Sequence, residues 1–297
     1  MVNKPELVSI SDGDNICVLC PSVGGSIVGW SVGGQQMLRQ ADTRAISASD
    51  PLQMASFPLV PYSNRIGDAR FNWKGRQIDL VPNFAPESHA IHGIGWKQAW
   101  TISAHGDSHI LLQLDHHGDA HWPWPFSATQ SLRVENNTLK MELSAANLAD
   151  EIAPLAFGHH PYFDQSNANL SFGADRVFLS GDDALPTEAI VPEGPFDFSN
   201  ASAIAGRNID HCYAGWDRKA RITWHDRPLA LDIASDMPAA VVYIPQGGSA
   251  FCFEPVPHIN NALNRPGDLP AMPAIAPGTS FTAMIRLTAV SRKPTPP

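Results

Sequence analysis

Apolar residues recur at every second position along much of the chain, the period of a strand with one buried face. The stretches Ser26–Val32, Ile110–Leu114, Gln130–Val134, Leu139–Leu143, Arg221–Trp224, Leu229–Ile233, Ala239–Ile244 and Phe281–Leu287 all read as strands. Asn136-Asn137 falls between two of them and predicts a hairpin turn, because asparagine tolerates left-handed backbone. No stretch holds a 3.6-residue period long enough for a long amphipathic helix. With 26 prolines and 22 glycines, the chain is broken too often for many long helices. Many short strands predict an all-β chain, an antiparallel sandwich or barrel. Neither a fixed-period repeat nor a composition break marks a boundary. The 297 residues therefore read as a single domain 1–297, with a loose Pro-Thr-Pro-Pro tail at 291–297.

Charge and cysteine content narrow the partners. A net charge of −9 argues against nucleic acid and against an anionic membrane surface. No apolar run approaches the ~18 residues of a membrane helix. The first twenty residues lack the basic start and apolar core of a signal peptide, so a cytoplasmic location is expected. Reduced thiols are then expected for the four cysteines, Cys17, Cys20, Cys212 and Cys252. Cys17-Val18-Leu19-Cys20 has the spacing of a redox pair. It lies in an alternating stretch, however, where residues three apart point to opposite faces, so buried thiols are the simpler reading.

Four stretches carry more chemistry than their surroundings. In Phe57 to Gly67, Asn64-Arg65 offers a pair of hydrogen-bond donors held between prolines and a glycine. In Ala90 to Trp96, His92 precedes a glycine that lets a ligand approach closely. In Phe157 to Phe163, His159 and His160 are adjacent, so only one of them can enter a given site from extended backbone. In Ala250 to Pro255, Glu254 ends an apolar run, where burial or a nearby donor can tune a carboxylate into a general base. The histidines of 105–121 match no tight metal-ligand spacing and read as turn and strand residues. Trp122-Pro123-Trp124-Pro125-Phe126 fits either a sugar-stacking surface or core packing.

Taken in order, these motifs make the chain similar to the aldose 1-epimerases, the galactose mutarotase family. They are Asn64-Arg65, His92-Gly93, His160-Pro161-Tyr162-Phe163, Asp210-His211 and Glu254-Pro255, and the likeness runs roughly from Gly24 to Leu287. The resemblance implies the large antiparallel β-sandwich of that family, the galactose mutarotase-like supersandwich, with an open cleft on one face. It implies Glu254 as general base and His160 as general acid, His160 being chosen over His159 for its spacing to Tyr162-Phe163. Arg65, His92 and Asp210 would hold a monosaccharide, with Asn64 and Tyr162 as lesser contacts. The activity so implied is exchange of α and β anomers by ring opening and reclosure, with His160 protonated at the start and with no cofactor and no metal. The chain would work as a monomer or homodimer. It departs from many members at Val241, where they carry Gln, and at Ile244, where they carry Thr. A hexose-6-phosphate epimerase, a non-catalytic sugar-binding protein on the same scaffold and a metal-dependent enzyme using the 105–121 histidines are the rival readings. The first needs a cationic pocket, and no additional arginine cluster is visible in the sequence.

Overall fold

The structure is a computed structural model and describes residues 5–292. Two large antiparallel sheets dominate it. One has nine strands, in the order Thr101–His105, His109–His116, Phe126–Glu135, Thr138–Asn147, Ser280–Ser291, Leu229–Ser235, Lys219–Trp224, Ala168–Ser171 and Ser202–Ala203. The other has six, in the order Tyr162–Asp164, Ala250–Val256, Ala239–Ile244, Ile209–Ala214, Arg176–Ser180 and Pro186–Ile190. A four-stranded sheet, Val8 to Gln36, precedes them. The α-helix Thr43–Ala48 is capped by Asp42, whose side chain accepts from the N–H groups of Arg44 and Ala45.

All eight strands expected from periodicity are present. Ser26–Val32 and Ala239–Ile244 have the expected ends, and the other six lie inside longer or equal strands. Asn136 and Asn137 both adopt positive φ, 47° and 58°, as the two-residue turn between Phe126–Glu135 and Thr138–Asn147 requires. Ser291 pairs with Leu229, and Arg292 donates its backbone N–H to Pro228 O at 2.8 Å. Two residues of the expected tail are thus tied to the nine-stranded sheet; the remainder, 293–297, lies outside the described residues.

The two sheets meet through a single buried cluster that runs from Ile10 to Ala289. Phe157 stacks on Phe281 of the nine-stranded sheet, ring centroids 5.0 Å apart, and Phe172 packs edge-on against Phe253 of the six-stranded sheet at 5.0 Å. Each fully buried Phe or Leu contributes about 1.5–3 kcal/mol by leaving water. Trp122 and Trp124 are buried in this core with Phe71 and Tyr62, which settles the Trp-Pro-Trp segment as packing. Cys17 and Cys20 are buried in two different clusters, on opposite sides of their strand.

Side-chain alternation in the six-stranded sheet decides where a site can form. In Ala250–Val256 every residue is buried. Phe251 and Phe253 enter the main core, which leaves Cys252 and Glu254 on the other face. In Ala239–Ile244 the core takes Ala240, Val242 and Ile244, which leaves Val241 and Tyr243 on that same outer face. Antiparallel register then lines up Asp210, Tyr243, Cys252 and Tyr162 as one row across four strands, with Glu254 in the next row opposite Val241. Ile244 faces the core, so its departure from the family pattern removes no group from the outer face.

Candidate active site

A cleft of about 380 Å³ lies over the row of Asp210, Tyr243 and Tyr162. Its volume falls within the ~300–1,000 Å³ usual for small-molecule sites. All seven residues singled out from the sequence, Glu254, His160, Arg65, His92, Asp210, Asn64 and Tyr162, line it. They come from segments up to 190 residues apart (Asn64 to Glu254). Very short pairings bring the segments together. Pro58–Leu59 pairs with Gly158–His159, and Arg65–Ile66 pairs with Ala90–Ile91. Asn64 and His92 adopt left-handed backbone, φ 55° and 59°, and bond to each other: His92 N–H donates to Asn64 O at 2.9 Å, and Asn64 N–H donates to His92 Nδ1 at 3.1 Å. Gly93, φ 66°, sits so close that a Cβ there would be 2.2 Å from Val60 O.

His160 and Glu254 are in contact, with Nε2 3.4 Å from Oε1. The imidazole packs against Phe57 and Tyr162, ring centroids 4.8 and 4.7 Å away, with those two rings 6.3 Å from each other, and meets His92 edge-on at 5.2 Å. Its Nδ1 lies 3.5 Å from Cys252 Sγ. His159 turns away into the interior, fully buried, 3.4 Å from Ser56 Oγ. Burial holds His160 in its neutral form, with its pKa lowered to about 3, and the positive charge of Arg39 adds to this. Burial pushes Glu254 well above the usual carboxylate range, and Asp210 pushes it further. An imidazolium facing a carboxylate would be two buried charges, and burial favours the neutral form of each, which runs against the expectation of a protonated His160.

Arg65 anchors the opposite wall. Its Nε and Nη2 donate to Glu87 Oε2 and Oε1, both at 2.9 Å, and its Nη1 reaches Asp210 Oδ2 at 3.5 Å. The bidentate bond to Arg65 holds the Glu87 carboxyl below its ordinary value. Asp210 is raised by burial, against the pull of Arg65. Such fixed donors and acceptors match the alternating hydroxyls of a sugar.

Four contributors went unnoticed in the sequence: Arg39, Glu87, Trp96 and Tyr243. Arg39 lies over the Tyr162 ring, 3.7 Å from its centroid, and its Nη2 donates to Leu52 O at 2.7 Å and to Met54 O. Among the described residues Arg39 has no carboxylate partner. The histidines of 105–121 stay outside the cleft; His116 Nε2 bonds Trp122 O at 2.7 Å and His105 Nε2 lies 3.1 Å from Ser9 O.

The chain is similar to known proteins over most of its length. The family model described as Aldose 1-epimerase matches residues 6–288. An Escherichia coli K12 relative, the uncharacterized protein YphB, is 28% identical over 89% of this chain and 92% of its own length. A galactose mutarotase-like protein from Clostridium acetobutylicum superposes with a TM-score of 0.87 at 20% identity, over 97% of this chain and 96% of that one, a likeness of fold. A galactose 1-epimerase from Lactobacillus acidophilus does so at 0.78 and 15%, over 97% and 99%. Among the described residues, no helix is long and apolar enough to cross a membrane. The outer-face cleft of a mutarotase-like β-sandwich and a family match over nearly the whole chain lead to one statement: this chain belongs to the aldose 1-epimerase family.

Proposed function

We propose that the protein interconverts the α and β anomers of a free hexose or pentose. The observation that carries this is the contact between Glu254 and His160 at the floor of a sugar-sized cleft. Anomer exchange removes a proton from the C1 hydroxyl and adds one to the ring oxygen. These two oxygens are bonded to one carbon, so an acid and a base in contact can serve both.

In this reading a sugar enters with its hydroxyls on Asp210, Arg65, Asn64 and His92. Donation from the C1 hydroxyl stabilises Glu254 as a carboxylate, and the proton it held passes to His160. Glu254 then takes the C1 proton while His160 gives its own to the ring oxygen. The C1–O5 bond breaks, and the pair returns to the neutral form it has in the empty cleft. Rotation about C1–C2 and reclosure on the other face reverse both transfers. His92 and Arg65 steady charge near the ring oxygen. Tyr162 and Phe57 keep the imidazole in position, so that little reorientation is needed.

Polarimetry on glucose, galactose, xylose and arabinose tests this directly. Glu254→Gln and His160→Asn are each expected to lower kcat by at least ~100-fold with a much smaller change in KM. Near-full mutarotation by either variant sinks the assignment.

Arg39 favours a second reading, a hexose 6-phosphate or another anionic aldose. A cleft-lining guanidinium without a carboxylate partner is the cation that the sequence alone did not reveal. Rates on glucose and glucose 6-phosphate separate the two: a preference of tenfold or more for the phosphate supports the second reading. A pure binding protein has no need of a matched acid and base, and zero turnover on every sugar in the panel would support that alternative.

A further inference from the structure

The strand that carries Glu254 puts Cys252 on the same face, two residues earlier. Cys252 Sγ is 3.5 Å from His160 Nδ1, and Glu254 Oε1 is 3.4 Å from His160 Nε2. One ligand atom from each of the three residues lies within 4.8 Å of the other two, and all three residues are buried. Among the described residues no other group of three His, Cys, Asp or Glu donors converges so closely. The His-rich stretch 105–121 forms no such group.

Thiolate, imidazole and carboxylate together suit a borderline-soft cation such as Zn²⁺ rather than Mg²⁺ or Ca²⁺, which take oxygen. Zinc bonds of ~2.0–2.3 Å at tetrahedral angles put neighbouring donors about 3.3–3.6 Å apart. Both measured separations fall in that range, although they run to different ring nitrogens. A metal on either nitrogen requires the farthest donors, up to 4.8 Å apart, to close by roughly 1.2–1.5 Å. The imidazole itself is packed against Phe57 and Tyr162. Because His160 and Glu254 line the cleft, a metal held by the three residues keeps a fourth position open toward it, as in catalytic-type zinc sites.

We propose that His160, Cys252 and Glu254 form a zinc site whose occupation switches off the acid–base pair. Metal binding follows from the donor geometry alone; its effect on anomer exchange rests on the function proposed above. Zn²⁺ displaces two protons, one from Cys252 and one from Glu254, both of which leave to solvent, and takes a lone pair from the thiolate, one from the carboxylate and one from His160. Neither group can then exchange a proton with a sugar.

The test uses the full chain, stripped with EDTA and titrated with ZnCl₂ and separately with CoCl₂. One equivalent should bind. The cobalt form should show a near-ultraviolet sulfur-to-metal charge-transfer band, lost in Cys252→Ser, with circular dichroism confirming the fold. Glu254→Gln, which keeps the shape of the side chain, should weaken zinc binding at least tenfold. One equivalent of zinc should cut mutarotation to below a tenth, and EDTA should restore it. No cobalt–thiolate band in the wild type, a band that survives Cys252→Ser, or undiminished zinc affinity in Glu254→Gln overturns the site. Full mutarotation with zinc bound overturns the switch. Failure of the functional proposal looks different: the metal-free protein turns over no sugar, yet the cobalt band remains.

Discussion

His160 packs against two aromatic rings with one ring nitrogen near a carboxyl and the other near a thiol, so burial, not the ordinary imidazole pKa, sets its charge. This has a kinetic consequence. An exposed pair of ionised Glu and protonated His would be active only between about pH 4.5 and 6.5 and would fade above it. The buried pair needs one shared proton. On the acid side it gains a second only near pH 3, where His160 titrates. On the alkaline side it loses its proton above the ordinary carboxylate range, because Glu254 is raised. Enzymatic kcat/KM, corrected for buffer catalysis, should therefore hold within about twofold as pH falls from 5 to 4. A fall of more than about threefold over that interval would mean that the active form needs a carboxylate that titrates as an ordinary glutamate. That only one of His159 and His160 faces the cleft was readable from the sequence, because neighbours on extended backbone face opposite ways; the choice of His160 came from the resemblance, through its spacing to Tyr162-Phe163. The protonation state was not, since it depends on Phe57, Tyr162 and Arg39 closing around the ring. Arg39 and Glu87 were equally hidden: neither sits in a pattern, and each reaches the site through a contact far along the chain.

The long strands and the short ones differ in how they are specified. Periodicity revealed Leu139–Leu143 and Phe281–Leu287 because alternating residues report the same buried face. The pairings that build the cleft, Pro58–Leu59 on Gly158–His159 and Arg65–Ile66 on Ala90–Ile91, are two residues long. Two residues carry no period, so these pairings show only as motifs without structure. Their stability comes from backbone fit instead. Ile94 and Gly95 both donate to Val60 O, at 2.8 and 2.9 Å, and the glycine before them lets the chain pass. Behind this loop, His258 Nε2 accepts from Ser63 N–H at 3.3 Å and Asn261 N–H donates to Arg65 O at 3.0 Å, which ties the Arg65 loop to the segment following Glu254. Gly93→Ala adds a Cβ that would lie 2.2 Å from Val60 O at a residue with positive φ. It should cost more than ~1 kcal/mol and lower Tm by at least ~2 °C. Because the same turn carries His92 against Asn64, KM for the sugar should rise as well. An unchanged Tm would show that the turn can relax without cost.

At the scale of the molecule, the buried histidines make stability depend on pH in a definite direction. His159 and His160 are lowered to about 3 and His258 to about 4, in each case chiefly by burial. Burial also lowers His92, helped by the charges of His160 and Arg65. In the unfolded chain all four titrate near ~6.5. Between the two sets of values the unfolded state holds more protons, so this contribution to stability is complete above about pH 6.5 and is lost as pH falls. Well below that point the slope approaches 1.4 kcal/mol per pH unit for each histidine, as an order of magnitude. Glu254 and Asp210 act the opposite way. Their folded values are raised, so they add stability as pH falls toward the ordinary carboxylate value near ~4. Four groups outweigh two, and the net expectation is a steady loss between pH 6.5 and 4.5. We also read the chain as one domain, because the main buried cluster spans Ile10 to Ala289, and a single cooperative transition is expected throughout. Calorimetry at half-unit pH steps should show one peak whose Tm drops by several degrees from pH 6.5 to 5. His159→Gln removes a titrating group that does not face the cleft, so it should flatten the slope while sparing sugar turnover. A pH-independent Tm would show that the buried imidazoles gain their protons without unfolding, and the neutral resting pair of Glu254 and His160 would lose its physical basis with it.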